Sequence, residues 1–284
     1  MAYINFDSTR PFDVIPLGRI AIDFNPIDYF KPWKECSTFK KYVGGSPANI
    51  AVGLSRLGKK VGFIGCVSDD QMGDYCVSYF QKEGIDTSHI VRARNGESLG
   101  LAFTEILDKD TSGLIMYRDN VADLKLEPLD VEESYIKAAK ILIVSGTALS
   151  ESPSREAALK AMTYARKNGT VVVFDIDYRA YTWKNKDEIS IYYTAAAAMA
   201  DIIMGSREEY DLTDGLVYQG LDDISTAKRW FDENAKIVVI KHGKQGSAAY
   251  AMDGRSYSIK PFPVTAIKSF GGGDGYASAF IYGL

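Results

Sequence analysis

The sequence predicts an α/β protein in which a parallel sheet is covered by helices, with a small second β-sheet added to it. Short apolar runs alternate with amphipathic stretches along most of the chain, which is typical of strands that alternate with helices. Those apolar runs are continuous, which indicates strands buried on both faces of a parallel sheet. Two segments rich in aromatic or hairpin-forming residues interrupt the alternation and predict the smaller sheet.

Several apolar runs are predicted as buried strands because they are short, rich in β-branched residues and followed by turn residues. They are Val61–Cys66, Lys140–Ser145, Thr170–Asp175, Asp201–Gly205 and Lys236–Lys241. The amphipathic stretches predict helices, whose limits are indicated by proline or serine at the start and by glycine at the end. The predicted helices are Pro47–Leu57, Met72–Glu83 and Ser152–Asn168.

The two interrupting segments supply the predicted small sheet. Phe24–Lys41 contains several aromatic residues and two prolines, and Ser98–Arg118 has the pattern of a hairpin with a turn at Asp108–Gly113. Ligands in open α/β sheets bind at the carboxyl ends of the strands and need cover. We therefore expect one domain over residues 1–284, with a lid formed by about residues 24–41 and 98–118.

Composition excludes several classes of function. The chain has 284 residues with 33 basic and 37 acidic side chains, and its net charge of −4 argues against a general nucleic-acid-binding protein. The longest apolar run, Ala195–Ala200, is much shorter than a membrane span, and residues 1–10 lack a signal-peptide pattern. The three cysteines lack metal-binding spacing and are expected to be buried free thiols. We therefore expect a cytoplasmic protein without a nucleic-acid or membrane partner.

Two glycine clusters each precede a predicted helix. One is Gly44-Gly45, and the other is Gly271–Gly273, which is followed by Asp274 and the apolar-patterned Tyr276–Tyr282. A glycine run that enters a helix exposes backbone N–H groups at the positive end of the helix dipole, which favours an anion such as a phosphate. An ionised aspartate beside that anion suits a base that takes the proton of an attacking hydroxyl group. Spacing alone leaves open the alternative that Asp274 caps the helix and the glycines form a flexible turn.

Both clusters lie within stretches that resemble the two signatures of the ribokinase-like (PfkB) carbohydrate kinases. The first runs from Gly44 to Ala51, with Gly58 and Gly65 after it, and the second is Lys268–Ala279. They occur in the expected order near the two ends of the chain, so the resemblance covers nearly the whole sequence. It implies a ribokinase-like parallel-sheet sandwich with a small β-sheet lid, and a sugar kinase that uses ATP and Mg²⁺.

The resemblance implies a catalytic and a sugar-binding set of residues. Asp274 corresponds to the family's catalytic base, which takes a proton from the sugar hydroxyl. The anion hole corresponds to Gly271, Gly272 and Gly273. The positions that contact the sugar in the family are occupied by Asp23, Gly44, Gly45 and Asn49.

A second implied set concerns the nucleotide. Lys241, Gly243 and Gly246 lie in a stretch that resembles the family's glycine turn near the nucleotide phosphates. Ser206 and Glu209 lie in a stretch that resembles the Asn-x-x-Glu element near magnesium and phosphate. Glu209 matches the acidic residue of that element, which implies a contact with the metal through water.

Three positions depart from the family pattern. Gly272 replaces the usual alanine, which is expected to loosen the loop without removing its N–H groups. Ser206 replaces asparagine and weakens the expectation of ordered metal-bound water, and Lys268-Ser269 replaces Asp-Thr and weakens that of a monovalent-cation contact. Family members also continue past the second signature, so we expect the C-terminal end of the family fold to be absent after Leu284.

Two arginines favour an acidic sugar over a neutral one. Tyr117-Arg118 and the stretch Asp175–Trp183, which contains Arg179, resemble elements of 2-keto-3-deoxygluconate kinases, although Asp177 stands where those enzymes have asparagine. A guanidinium group binds a carboxylate through two parallel hydrogen bonds, which a hydroxyl-binding site cannot reproduce. The alternative is that both arginines are surface residues with solvated head groups.

The resemblance, together with these arginines, implies ATP-dependent phosphorylation of the 6-hydroxyl group of a keto-deoxy sugar acid, as in myo-inositol breakdown. A 2-keto-3-deoxygluconate kinase is one alternative, and fructokinase or ribokinase activity is less favoured. A non-catalytic sugar or nucleotide sensor on the same fold is the other alternative, motivated by the altered Ser206 and Lys268-Ser269 and by the end of the chain. Exposed apolar residues of the lid would favour a homodimer formed through the lid.

Overall fold

The computed structural model describes residues 4–108, 111–264 and 270–284. The chain divides into two compact units: unit 1 comprises Met1–Leu17 and Glu127–Phe262, and unit 2 comprises Gly18–Leu126 and Pro263–Leu284. Lys268-Ser269, where the sequence departs from the family signature, lies outside the described residues. That the chain forms a single domain with a lid stays a prediction.

The strands and helices follow one another in the order expected for an α/β chain. The strands are β1 (Phe12–Leu17), β2 (Ala21–Pro26), β3 (Phe39–Gly44), β4 (Gly62–Val67), β5 (Asp86–Arg92), β6 (Gly100–Ile106), β7 (Ser112–Tyr117), β8 (Ala139–Ser145), β9 (Val171–Asp175), β10 (Ile202–Ser206), β11 (Ile237–Lys241), β12 (Ser247–Ala251) and β13 (Ser256–Ile259). The α-helices are α1 (Ser46–Arg56), α2 (Gln71–Lys82), α3 (Glu133–Lys137), α4 (Ser154–Asn168), α5 (Lys186–Ala197), α6 (Arg207–Asp214), α7 (Asp223–Glu233) and α8 (Gly272–Tyr282). Short 3₁₀ helices occur at Trp33–Glu35, Ala122–Leu124, Pro128–Asp130, Gly146–Leu149, Ala180–Thr182 and Gly243–Gln245.

Unit 1 is built on a mainly parallel sheet. Its strands lie in the order β13-β12-β11-β10-β9-β8-β1, with β1, β8, β9, β10 and β11 parallel and β12 and β13 antiparallel. The parallel strands β8, β9 and β10 are buried along almost their whole length, because helices cover such a sheet and leave little room for polar side chains. The predicted strands of this sheet are confirmed, each within one residue at either end.

Helix limits in unit 1 follow local capping chemistry. The side chain of Asp222 accepts a hydrogen bond from the backbone N–H of Ser225 and so caps α7. Helix α4 ends at Gly169, whose φ of 66° is the left-handed conformation that glycine adopts without strain. Its predicted C-terminal end is confirmed, whereas its start lies at Ser154, two residues later than predicted.

Unit 2 contains the predicted small sheet, in the order β3-β2-β6-β7. Strands β2 and β6 are parallel, and the β2–β3 and β6–β7 pairs are antiparallel, so Ser98–Arg118 forms a hairpin as predicted. The aromatic residues pack on one face: the Phe24 and Phe103 rings stack with centroids 4.8 Å apart, and Trp33 and Phe39 lie at the same distance. They therefore form a partly exposed aromatic cluster on this sheet, and a homodimer through it stays a prediction.

Strands β4 and β5 of unit 2 form a parallel pair, and helix α2 lies between them in sequence. Asp70 accepts hydrogen bonds from the backbone N–H groups of Met72 and Gly73 and so caps α2. Predicted strand β4 and helices α1 and α2 are confirmed within one residue at each end.

The two cysteines Cys66 and Cys76 are buried free thiols as predicted, and burial raises the pKa of Cys76 to about 12. Cys36 is partly exposed, so the prediction of a buried thiol is wrong for it, because it lies in the irregular connection between β2 and β3. Within the three described ranges, no helix combines the length and the apolar character needed to cross a membrane.

The packing of α1 against α8 depends on a glycine inside α1. A Cβ atom added to Gly53 would lie 2.5 Å from the Ser278 Oγ and 2.9 Å from the Ser278 Cβ. Both distances are shorter than van der Waals contact, so the absence of a side chain allows the two helices to approach. Because α8 carries Asp274, this contact also fixes the place of that carboxylate relative to α1.

We expect Gly53→Ala to lower the free energy of unfolding by about 1–3 kcal/mol, because the clash with Ser278 outweighs the better helix propensity of alanine. Urea unfolding of Gly53→Ala, Ser278→Gly and the double variant measures the effect as a double-mutant cycle. The double variant should lose less than the sum of the two single losses. Strictly additive losses would contradict the contact.

Candidate active site

Asp274 lies in the first turn of α8, directly after a glycine run. Gly271 precedes the helix with a φ of 72°, so its backbone conformation requires glycine. Gly272 and Gly273 are exposed and helical, and a Cβ atom on either would have no neighbour within 4 Å. The glycines thus leave the first-turn N–H groups, which lack partners within the helix, open to an incoming anion.

The Asp274 carboxylate is held by the first turn of α1. Ser46 Oγ donates a hydrogen bond to Asp274 Oδ1 at 2.9 Å, and Asn49 Nδ2 donates one to Asp274 Oδ2 at 2.7 Å. Donors on both oxygens favour the ionised form and fix the orientation of the group. The structure therefore places the Asn49 amide on the predicted base, and its contact with a sugar stays a prediction. Ser46 was missed because a serine at a helix start carries no signal beyond capping.

Asp23 and the first glycine cluster form the second part of unit 2's site. A Cβ atom on Gly44 would overlap the Asp23 carboxylate, and one on Gly45 would lie 2.5 Å from the Arg19 backbone oxygen. Gly45 also has a φ of 101°, in which other residues are strained. The two glycines therefore make room for Asp23 and for the turn into α1, a steric role that the sequence alone did not reveal.

The pKa of Asp23 is raised above its ordinary value. Burial is the largest cause, the charge of Arg19 lowers the pKa in part, and the charge of Asp274 raises it further. Arg19 is itself buried at 6% exposure, so its charge acts in a region of low dielectric. Two carboxylates and one guanidinium group thus influence one another within unit 2.

Arg118 is bound to a carboxylate of the chain itself. Its Nη2 lies 2.7 Å from Asp123 Oδ2, and the two side chains are 6% and 1% exposed. The alternative of a solvated surface arginine is therefore wrong for Arg118, because its head group is buried in an ion pair. Its neighbour Tyr117 is 62% exposed and packs edge-on against Phe103. Asp123 was missed because it lies in a short 3₁₀ helix whose sequence has no periodic pattern.

Unit 1 carries the predicted nucleotide residues at the carboxyl ends of its strands. Ser206 caps α6, and the carboxylate of Glu209 accepts hydrogen bonds from the Ser206 N–H at 2.6 Å and the Tyr178 N–H at 2.7 Å. Each carboxylate oxygen of Glu209 therefore accepts one hydrogen bond from a backbone N–H group. One lone pair remains on each oxygen for a further contact. Glu209 joins the end of β10 to the loop after β9.

Two cations in unit 1 lie among buried carboxylates. Lys241 Nζ is 3.5 Å from Asp175 Oδ1, and Arg179 Nη2 is 2.6 Å from Asp177 Oδ1. Burial lowers the pKa of Lys241, but the charges of Asp175, Glu209 and Asp177 outweigh it, so the net pKa is raised. Arg179 is thus partly exposed and paired with Asp177, at the position where the sequence departs from asparagine.

The turn after β11 depends on its two predicted glycines. Gly243 and Gly246 have φ values of 55° and 102°, and a Cβ atom on Gly246 would overlap the Ile259 backbone oxygen. His242 Nε2 lies 2.7 Å from Asp223 Oδ2, which ties the turn to the start of α7. Gly243 remains exposed and sterically open, as a backbone that approaches a phosphate requires.

The donor set of Glu209 in unit 1 fits a contact with magnesium through water. In the ranges 4–108, 111–264 and 270–284, no group of three or more His, Cys, Asp or Glu residues is arranged to bind a metal. Magnesium usually keeps several waters and binds through one or two carboxylates plus phosphates. The remaining lone pairs of Glu209 suit a contact of that kind through water.

Comparison with known proteins gives consistent matches over the chain. The profile of the pfkB family carbohydrate kinases matches residues 12–284. A 5-dehydro-2-deoxygluconokinase of Clostridium perfringens is 64% identical over 284 residues, which are 100% of this chain and 84% of that protein. This family match and this identity extend over both units.

Solved structures match the fold. A PfkB protein from Polaromonas sp. JS666 has a TM-score of 0.83 at 28% identity and covers 96% of this chain and 90% of its own. An uncharacterized sugar kinase from Pyrococcus horikoshii in complex with ATP has a TM-score of 0.80 at 25% identity, with 94% and 83% covered. These matches confirm the predicted fold class.

We expect Asp123→Asn to lower the free energy of unfolding by about 3–5 kcal/mol, because it leaves the Arg118 charge buried without its counter-ion. A double variant, Asp123→Asn with Arg118→Met, should lose clearly less, since no uncompensated charge remains. Urea unfolding measures both. Equal losses of unfolding free energy in the single and the double variant would contradict the explanation that the unpaired Arg118 charge causes the loss.

Asp23→Asn is expected to raise the free energy of unfolding at neutral pH. Because the folded-state pKa of Asp23 is raised above the ordinary 3.8, the stability linked to its neutral form is present below 3.8 and is lost as pH rises through the raised value. The gain of the variant over the parent should therefore shrink as pH is lowered through that range. Chemical denaturation at a series of pH values tests this, and a pH-independent difference would contradict it.

Proposed function

This chain belongs to the pfkB family of carbohydrate kinases, and from that premise we propose that it transfers the γ-phosphoryl group of ATP to the 6-hydroxyl group of 5-dehydro-2-deoxygluconate. The observation that carries the proposal is the Asp274 carboxylate, which is oriented by Ser46 and Asn49 beside the open N–H groups of α8. The substrate is supported by the relative of that name, which is 64% identical along the full length of this chain.

Asp274 acts as the general base of the transfer. It takes the proton of the 6-hydroxyl group as the oxygen attacks the γ-phosphorus, a new O–P bond forms, and the bond to the β-phosphate oxygen breaks to release ADP. The two hydrogen bonds from α1 keep the carboxylate in one orientation, so little reorganisation is needed when the proton moves.

The first-turn N–H groups after Gly271 act as the anion hole. They are fixed in direction by the helix and by the left-handed conformation of Gly271. Donors that are already oriented stabilise the charge that develops on the equatorial oxygens of the phosphoryl group. The open space around Gly272 and Gly273 admits a group of that size.

The proposed binding residues occur in both units. In unit 2, Asp23 accepts a hydrogen bond from a sugar hydroxyl. In unit 1, Ser206, Lys241, Gly243 and Gly246 bind the nucleotide, with Lys241 kept positively charged by the carboxylates around it. Magnesium bound to ATP would neutralise charge on the phosphates, and Glu209 is the residue that would hold it, through water.

Asp274→Asn is expected to lower kcat by about 10²–10⁴-fold, because it removes the proton acceptor and keeps the shape of the side chain. Coupled ADP release measures turnover, and calorimetric titration measures sugar binding, which should change by no more than a few-fold. Ser46→Ala is the matched control, since it leaves the base and removes one of its two donors, and its loss should be much smaller. Unchanged turnover in Asp274→Asn would contradict the assignment of the base.

A further inference from the structure

Three polar side chains share one face of the four-stranded sheet in unit 2. Asp23 and Asn25 are two residues apart in β2, and side chains at that spacing point to the same face of a strand. Ala102 of β6 lies opposite Asp23, and Thr104 follows two residues later, so it also lies on this face. The aromatic cluster around Phe24 and Phe103 occupies the other face. Asp23, Asn25 and Thr104 therefore lie on the face opposite to this aromatic cluster.

The Asn25 side chain has a fixed orientation. Thr104 Oγ1 donates a hydrogen bond to Asn25 Oδ1 at 2.8 Å, and Thr104 is only 4% exposed, so this bond is shielded from water. Throughout the described part of the chain, the Asn25 amide makes no other hydrogen bond, and the residue is partly exposed. With its oxygen occupied, the amide presents its NH₂ group, which can only donate.

Asp23 and Asn25 therefore offer opposite chemistry at neighbouring positions. Ionised Asp23 can only accept, whereas the Asn25 NH₂ group can only donate. Their Cα atoms are about 6.6 Å apart by the rise of a strand, a distance comparable to several bonds of an open sugar chain. A ligand that satisfies both groups combines a hydroxyl group with an oxygen that only accepts.

A keto sugar acid has this combination. Its hydroxyl groups donate to a carboxylate, and its ketone and carboxylate oxygens only accept. Arg118, the arginine of this unit that the sequence assigned to the acidic group, is bound to Asp123 instead. The Asn25 NH₂ group is a further donor in this unit for the acceptor oxygen of the substrate.

Resting on the function proposed above, we propose that Asn25 is a specificity-determining residue, which donates a hydrogen bond to the ketone or the carboxylate oxygen of the sugar acid. Thr104 is its positioning residue, because its hydroxyl group decides which end of the amide faces the ligand. A site with an oriented donor discriminates strongly against a ligand that leaves the donor unpaired.

The test compares Asn25→Ala and Asn25→Asp on three acceptors: 5-dehydro-2-deoxygluconate, its analogue with a hydroxyl group in place of the ketone, and its analogue without the carboxylate. With the first acceptor, kcat/KM should fall about 10–100-fold in Asn25→Ala, and further in Asn25→Asp, whose carboxylate repels an acceptor oxygen. A fall in kcat/KM that is confined to acceptors with the ketone identifies the ketone oxygen as the partner of Asn25. A fall that is confined to acceptors with the carboxylate identifies the carboxylate oxygen.

Thr104→Val and Thr104→Ser test the positioning role. Thr104→Val keeps the shape and removes the hydroxyl group, so KM for the sugar acid should rise several-fold while KM for ATP stays unchanged, and Thr104→Ser should restore the parent values. Thermal unfolding of each variant identifies any general loss of structure. Equal losses on all three acceptors, or no loss, would overturn the role of Asn25.

The outcomes separate this inference from the function on which it rests. If the parent protein does not phosphorylate 5-dehydro-2-deoxygluconate, the proposed function is wrong and the role of Asn25 toward that substrate is wrong with it. If the parent does so and the Asn25 variants lose nothing or lose equally on all acceptors, only the role of Asn25 is wrong.

Discussion

The two hydrogen bonds from α1 to the Asp274 carboxylate are the interaction on which the rest of the site in unit 2 depends. Two donors in the first turn of one helix fix both oxygens of a carboxylate in the first turn of another. That arrangement needs the helices to approach closely, which the bare backbone of Gly53 permits against Ser278. It also needs the turn before α1, where Gly45 adopts a conformation closed to other residues. The first glycine cluster thus helps to position Asp274, which follows the second cluster.

In both units, cations that the sequence predicts for ligand binding are paired with a carboxylate of the chain. Arg118 has Asp123, Arg179 has Asp177, and Lys241 has Asp175. Such pairs position side chains without leaving a buried charge uncompensated. Arg118 and Arg179 are therefore already in ion pairs when an anionic substrate binds. Neutral donors such as backbone N–H groups and amides contribute more to its binding for that reason.

Sequence reasoning predicts the fold well and the site in part. The buried strands of unit 1 were placed within one residue, because a continuous β-branched run has few alternatives in a parallel sheet. The two glycine clusters and Asp274 were found because a phosphate site needs open backbone. Ser46, Asp123 and Thr104 could not be found, because their partners are distant in sequence or lie in loops without a periodic pattern.

The contact between Gly53 and Ser278 has a consequence for exchanging parts between relatives. One partner follows the first signature and the other lies inside the second, so two stretches far apart in sequence form a single matched surface. In a chimera, the stretch around the first signature would come from one homologue and the second signature from another. The base and its two hydrogen-bond donors would then come from different proteins, whose helices are not matched in packing. Recombination of such enzymes should therefore succeed where the cut keeps both stretches from the same parent.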